Sequence, residues 1–408
     1  MTVFDETRLA RGPGRPRMRI AWFVHRYAPC QGGAEQFSRE MARRLVAAGH
    51  CVDVFTSNAD DLWYFTDRSR PPLGRPGVEE IDGALVHRFP VRHRPFQRYL
   101  GKLLSRVPRW SIQCRHDSFM PILPGIHRVR GPYDLVVGAA YPYTIFSHAA
   151  FLTARAVAAP LILVPFLHVS TMDDRMYRSY TRPHQMRLLR EADLVFAATR
   201  LEARVMAAHG VPEQRVSVLG MGFDAAGVTG GDREAQRARW GVGASTKVLG
   251  HLATLCVNKG THDLVRAVAR VNQRRALGDQ VVLVLAGKRS PEFEAFWEAL
   301  EPQHRAGVVL AGRIEDAAGF FAGIDVFAMP SRTDSFGIVF LEAWANGRPV
   351  IAARAGGVSE VVEDGHRGLL IPFGDVEAIA RCIERLVGDE SLARRLGRLS
   401  GQTPPRLS

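Results

Sequence analysis

Short apolar runs alternate along this chain with longer segments whose apolar residues recur three and four apart. Arg19–His25 (RIAWFVH) is such a run; a loop holding Gly32-Gly33, a helical pattern through Ala48, a stop at Gly49 and a second run, Cys51–Ser57, follow it. Strand, glycine loop, helix and strand make a βαβ unit with parallel pairing. Further strands are expected at Ala84–Phe89, Asp134–Ala139, Pro160–Phe166, Asp193–Ala198 and Arg215–Leu219, with helical segments between most of them. A second series begins beyond Gly222-Phe223-Asp224 and a polar stretch, Thr229–Arg239. Its strands are Lys247–Leu252, Gln280–Ala286, Val308–Ala311, Asp325–Met329, Pro349–Ala352 and Gly368–Ile371.

Two alternating series predict an α/β chain of two Rossmann-like, doubly wound domains. The boundary is expected within Val211–Asp224, giving domains over 18–212 and 213–396. A disordered Arg/Pro/Gly-rich leader over 1–17 and a polar tail over 397–408 are expected to flank them. Open α/β sheets bind ligands beyond the carboxyl ends of their strands, so two facing domains imply a site in the cleft between them.

Composition narrows the class. At 408 residues, 46% hydrophobic and 23% charged, the chain has the balance of a globular protein with two cores. Cys30, Cys51, Cys114, Cys256 and Cys382 are scattered, with no CxxC pair, which argues against a zinc site or disulfide framework and for a reducing compartment. The longest uncharged stretch, Leu135–Ala154, contains Pro142, Thr144, Ser147, His148 and Thr153, so no spanning helix is expected there. The formal charge is +13, yet lysine occurs only at 102, 247, 259 and 288. An arginine bias of this kind raises the pI without naming a partner.

The richest segment is Ile324–Gly357, IDVFAMPSRTDSFGIVFLEAWANGRPVIAARAGG. A strand ends at Met329-Pro330, and Ser331–Phe336 leads into a helix from about Gly337. Unpaired, partly positive amides at a helix start suit a sugar phosphate. Asp334 stands at the helix entrance and Glu342 eight residues on, about 2.2 turns, which puts both carboxylates on roughly one helical face.

This segment resembles the signature of the retaining glycosyltransferases of the GT-B fold, particularly glycosyltransferase family 4. In that family an acidic residue, seven intervening residues and a glutamate follow a Pro-Ser strand exit. Here they are Asp334-SFGIVFL-Glu342, then Gly347-Arg348-Pro349-Val350 and Gly356-Gly357. The resemblance extends from Met18 to about Leu396. It implies a nucleoside-diphosphate sugar donor held by the C-terminal domain, with Ser335, Phe336, Gly337, Ile338 and Glu342 at the donor and Asp334 at its hexose. It also implies that Gly32 and Gly33 lie beside the donor phosphates, that Lys259 of Asn258-Lys259-Gly260-Thr261 contacts the diphosphate, and that His168, closing LILVPFLH, approaches the transferred sugar. Arg313 falls where the base should stack.

Two departures stand out. The family's Gly-Arg-Leu, whose arginine also contacts the diphosphate, is Ala253-Thr254-Leu255 here, so Thr254 can hydrogen-bond but not neutralise charge. The first acid is Asp334, where glutamate is commoner. Members usually end in a helix crossing back to the first domain, whereas Gly397–Ser408 shows no helical pattern, as in a naturally short or truncated chain.

The implied reaction is hexosyl transfer to an acceptor hydroxyl with retention of configuration. No DxD motif or metal-spaced His/Asp cluster occurs, so neither metal nor cofactor is expected. Two other readings fit the same residues: a GT-B-fold nucleotide-sugar epimerase, which needs no acceptor, and a weakly catalytic sugar-nucleotide-binding protein. A dehydrogenase does not fit, because Gly32-Gly33 lacks the GxGxxG spacing.

One segment points to the acceptor. Residues 88–115 carry eight Lys/Arg and no acid, and Phe96, Tyr99, Leu100, Leu103, Leu104 and Val107 follow helical spacing, with Arg98, Lys102, Arg106 and Arg109 opposite and Pro108 ending the helix. A basic amphipathic helix can lie on anionic lipid, or pack its apolar face on its own domain. The expected partners are a nucleotide sugar, a glycan or lipid-linked acceptor and an anionic membrane surface through 88–115, but not nucleic acid. The expected location is cytoplasmic, peripheral on the inner face of the membrane.

Overall fold

The computed structural model describes residues 16–93, 96, 99, 103–104, 106–107, 109–115, 121–139, 141–169, 175–276 and 279–398. It divides into two compact units that part between Gly220 and Met221.

The first unit is an eight-stranded sheet of β1 (Arg19–Phe23), β2 (Cys51–Ser57), β3 (Gly77–Ile81), β4 (Ala84–Phe89), β5 (Leu135–Ala139), β6 (Leu161–Val164), β7 (Leu194–Ala197) and β8 (Val216–Val218). Its spatial order is β3-β4-β2-β1-β5-β6-β7-β8. All pairs are parallel except β3·β4. Central strands buried on both faces must be apolar throughout, and β1 reads RIAWF with four of its five residues buried. Their core includes Phe23, Phe55, Phe146, Leu163 and Leu189.

The hairpin strand β3 lies outside the predicted elements. GVEEI is an exposed edge strand without an apolar face, and its signal was the turn: Asp82-Gly83 has φ of 51° and 79°, the left-handed pair a tight hairpin requires. The units part inside the range Val211–Asp224, beyond the 212/213 division. Val216–Val218 pairs with β7, so residues 213–220 belong to the first unit and not, as expected, to the second.

The second unit is a six-stranded, wholly parallel sheet of β9 (Val248–Leu252), β10 (Val282–Ala286), β11 (Val308–Gly312), β12 (Val326–Met329), β13 (Val350–Ala353) and β14 (Leu369–Ile371). The order is β11-β10-β9-β12-β13-β14. From β9 the chain winds outward through β10 and β11, then returns to lay β12 on the other side of β9. Loops leaving β9 and β12 therefore diverge to opposite faces, opening a crevice at the carboxyl ends of these two strands. The same reversal occurs between β1 and β5 in the first unit. The helix Glu390–Gly397 closes the described chain, so Gly397 lies in a helix and not in the expected tail. The leader over 1–15 and the tail from 399 fall outside the described residues.

Candidate active site

The reversal in the second unit brings the strongest candidates together. Leaving β9, the chain runs through Ala253-Thr254-Leu255 into a single 3-10 turn, Val257–Lys259, and then into the helix Thr261–Gln273. Gly260 joins them at φ 72°. A side chain there would collide with the Pro330 carbonyl oxygen, so only glycine lets this turn press against the loop leaving β12. The two loops are then tied, Arg332 N–H donating to Asn258 O at 2.8 Å. Lys259 Nζ consequently lies 2.6 Å from Asp334 Oδ2 and donates to it.

Behind this turn stands a residue that no motif identified. His251, on β9, is fully buried. Its Nδ1–H can only donate to Ala328 O (2.8 Å), which leaves Nε2 to accept from the Thr261 hydroxyl at 3.0 Å. Thr261 Oγ1 in turn accepts from Cys256 N–H at 3.2 Å. Burial pushes the imidazole down to about 4, so a neutral ring braces the Lys259 turn from within.

Asp334 is held on its main chain as well: Gly357 N–H, from the Gly356-Gly357 loop after β13, donates to Asp334 O at 2.9 Å. Ser335, Phe336 and Ile338 are buried alongside it. The helix begins only at Ile338, after Gly337 at φ 84° and ψ 63°. Asp334 thus precedes the helix and is separated from it by a left-handed residue, so helical periodicity does not relate it to Glu342, contrary to expectation. Glu342 is a carboxylate 5% exposed in the apolar helix IVFLEAWA. The N-cap residue, Gly337, has no side chain with which to accept from the first turn of this helix. The Ser331 hydroxyl, 1% exposed, has no hydrogen-bond partner among the described residues. Thr254 and Arg313 are exposed at the ends of β9 and β11.

The first unit holds the remaining candidates. Gly32 and Gly33 lie in the β1 exit loop, where Gly33 faces open space and a side chain on Gly32 would strike the Glu35 carboxylate. Glu35, in the first turn of the helix Gly33–Ala47, is the unforeseen residue here. It is 3% exposed, with His25 Nε2 at 3.1 Å and Arg26 Nη2 at 2.5 Å. Burial alone would push its carboxyl up, but Arg26 and then His25 hold it well below the usual range. His25 stacks on Tyr143 with ring centroids 4.9 Å apart. His168 follows β6, half-buried, its ring 5.1 Å from that of Tyr180.

In the basic segment, Arg98, Leu100, Lys102 and Pro108 lie outside the described residues, and with them the expected helix. Phe96, Tyr99 and Leu103 are 79%, 76% and 63% exposed. Arg88 is not a surface charge: it lies buried on β4, paired with Glu79 and donating to Ala28 O. Among the described residues no helix is long and apolar enough to cross a membrane, and no three His, Cys, Asp or Glu side chains converge as a metal site.

The model of the glycosyl transferases group 1 family matches residues 246–389, and that of the glycosyl transferase 4-like domain matches residues 32–222. The D-inositol 3-phosphate glycosyltransferase of Streptomyces bingchenggensis is 30% identical, over 96% of this chain and 86% of its own. The enzyme of the same name from Streptomyces avermitilis is 29% identical over 91% and 79%. Among solved structures, Anabaena HepE in complex with UDP and glucose is 22% identical with a TM-score of 0.66, covering 93% of each chain. Sucrose-phosphate synthase from Thermosynechococcus elongatus is 21% identical with a TM-score of 0.70, covering 93% of this chain and 92% of its own. Two parallel α/β units, each matched by its own half of the family, and relatives spanning both place this chain among the group 1, family 4 glycosyltransferases of the GT-B fold.

Proposed function

We propose that this glycosyltransferase moves a hexosyl group from a nucleoside-diphosphate sugar to an acceptor hydroxyl, with retention and without a divalent metal. The observation that carries the reading is the Lys259–Asp334 pair at the carboxyl ends of β9 and β12, beside a helix whose N-cap is Gly337. An ammonium and oriented amides stabilise the charge that builds on a departing diphosphate, the task a metal performs in other designs. Solved structures of HepE with UDP and with UDP-glucose support a donor of this class.

In this reading the diphosphate draws Lys259 from Asp334, and the freed carboxylate meets the hexose. Glu342 binds ribose hydroxyls and takes no proton. The C1–phosphate bond breaks through an oxocarbenium-like state, and the acceptor oxygen bonds C1 on the face the phosphate leaves. The acceptor proton goes to the departing phosphate oxygen. His168 approaches the transferred sugar, Gly33 admits the phosphates to the β1 exit, and Arg313 stacks on the base.

The acceptor is anionic or borne on an anionic surface. Exposed Phe96, Tyr99 and Leu103 sit in a segment whose formal charge is wholly positive, a pairing that suits a lipid surface on the cytoplasmic side. The relatives named for D-inositol 3-phosphate supply the soluble alternative.

Incubation with donor in EDTA, alone, with D-inositol 3-phosphate and with anionic vesicles carrying a glycolipid acceptor tests the whole reading. Proton NMR of the product's anomeric centre should show the donor's configuration. Donor turnover without acceptor would indicate an epimerase, inverted product would overturn retention, and loss of activity in EDTA would overturn metal independence.

A further inference from the structure

Glu202 has no part in the chemistry above, yet it is a carboxyl group with 0% exposure. Thr199-x-x-Glu202 has the form of a capping box, and the Thr199 hydroxyl does accept Glu202 N–H at 3.2 Å at the start of the helix Arg200–Ala208. Such a cap asks of the glutamate only one bond, to the Thr199 N–H, and can be made at the surface. Here the carboxylate does more. Its Oε1 accepts Leu167 N–H at 2.7 Å and its Oε2 accepts Ala198 N–H at 2.6 Å. The helix gains nothing from the first of these, which reaches back to the chain leaving β6, the strand paired with β7.

That chain is held in an unfavourable shape. Phe166 has φ 51°, a left-handed conformation that bulky L-residues avoid and that persists only where the surroundings impose it. Leu167 comes next, and then His168. The tie to Glu202 falls between the strained residue and the candidate histidine, while Tyr180 packs on the histidine ring. Burial pushes the Glu202 carboxyl up to about 7, against the three backbone N–H groups that favour its ionised form. A buried carboxyl is costly to keep where a glutamine or an apolar residue would fill the space.

We propose that Glu202 is a positioning residue for transfer: it fixes the β6 exit by its bond to Leu167 and so sets where His168 is presented. This rests on the role given to His168 above. The readout is a cycle of four proteins, wild type, Glu202→Gln, His168→Ala and the double variant, at a temperature where all are folded. Glu202→Gln keeps the shape and one acceptor but turns an amide N–H2 toward a backbone N–H. Its kcat should fall about tenfold or more with donor KM little changed, since small misplacements of a reacting group weigh on the chemical step. In the His168→Ala background the same change should cost nothing further. Additive losses, or unchanged kcat in Glu202→Gln, would overturn the positioning role and leave His168's role standing. Full activity in His168→Ala would remove both. Should Glu202→Gln not fold, Glu202→Asp takes its place in the cycle, since it retains the local cap while withdrawing from Leu167, and the same outcomes decide.

Discussion

Lys259 and Asp334 are 75 residues apart in sequence and 2.6 Å apart in space, one on each side of the strand-order reversal in the second sheet. Each is about three-quarters or more buried as a side chain, 24% and 12% exposed. Removing one partner therefore leaves the other's charge poorly solvated. Lys259→Ala should lower kcat by about 10²- to 10³-fold, the usual effect of deleting one preorganised electrostatic contact. Affinity for the nucleoside alone should change little. Steady-state kinetics beside nucleoside titration check both halves.

Thr254 is exposed at the β9 exit, so a longer side chain has room there. Thr254→Arg should keep or raise activity by adding a cation near the diphosphate. A clear fall in kcat/KM for this variant would show that the exit of β9 does not approach the phosphates.

Gly260 is the hinge of the arrangement. Gly260→Ala must place a Cβ at φ 72° and against the Pro330 carbonyl. It should destabilise the protein by more than about 1 kcal/mol, the scale for alanine at positive φ. Activity should fall further than stability, because the clash separates Lys259 from Asp334. Chemical denaturation and kinetics on the same preparation separate the two losses.

Much of this was legible in the sequence, and for a physical reason. Parallel central strands are buried on both faces, so Ile20–Phe23, Leu283–Ala286 and Val350–Ala353 appear as apolar runs, and their spacing gives the two-domain order. Asp334, Glu342 and Lys259 were singled out because local motifs carry them. Edge and long-range features were not. β3 has no apolar face, so nothing in its own residues marks it as a strand. Glu202 and His251 act through bonds to Leu167 and Ala328, distant in sequence, which no local pattern records. The shared helical face of Asp334 and Glu342 failed because Gly337 turns left-handed between them.

His251 gives the protein an acid-side liability. Burial holds its folded pKa at about 4, below the ordinary imidazole value of 6.5. Between those values the unfolded chain binds a proton that the native protein does not, so stability falls as pH drops from about 6.5 to about 4. One such proton contributes at most about 1.4 kcal/mol per pH unit. His184, also lowered to about 4 by burial and then Arg182, acts in the same direction. In His251→Gln the part due to this ring should vanish: the stability advantage of wild type over the variant should shrink as pH falls across this window. Urea unfolding at half-unit pH steps measures it, and a constant difference would mean that His251 titrates normally.

In the proposed reaction the second unit grips a nucleoside-diphosphate sugar through the loops after β9 and β12 and through Glu342. Thermal unfolding of wild type and Glu342→Ala with UDP-, GDP-, ADP- and TDP-sugars in EDTA tests it most directly. At 100 times its dissociation constant the true donor should add about 2.7 kcal/mol to wild-type stability, and should add nothing to a folded Glu342→Ala protein. No shift with any donor, or an equal shift in both proteins, would contradict the account.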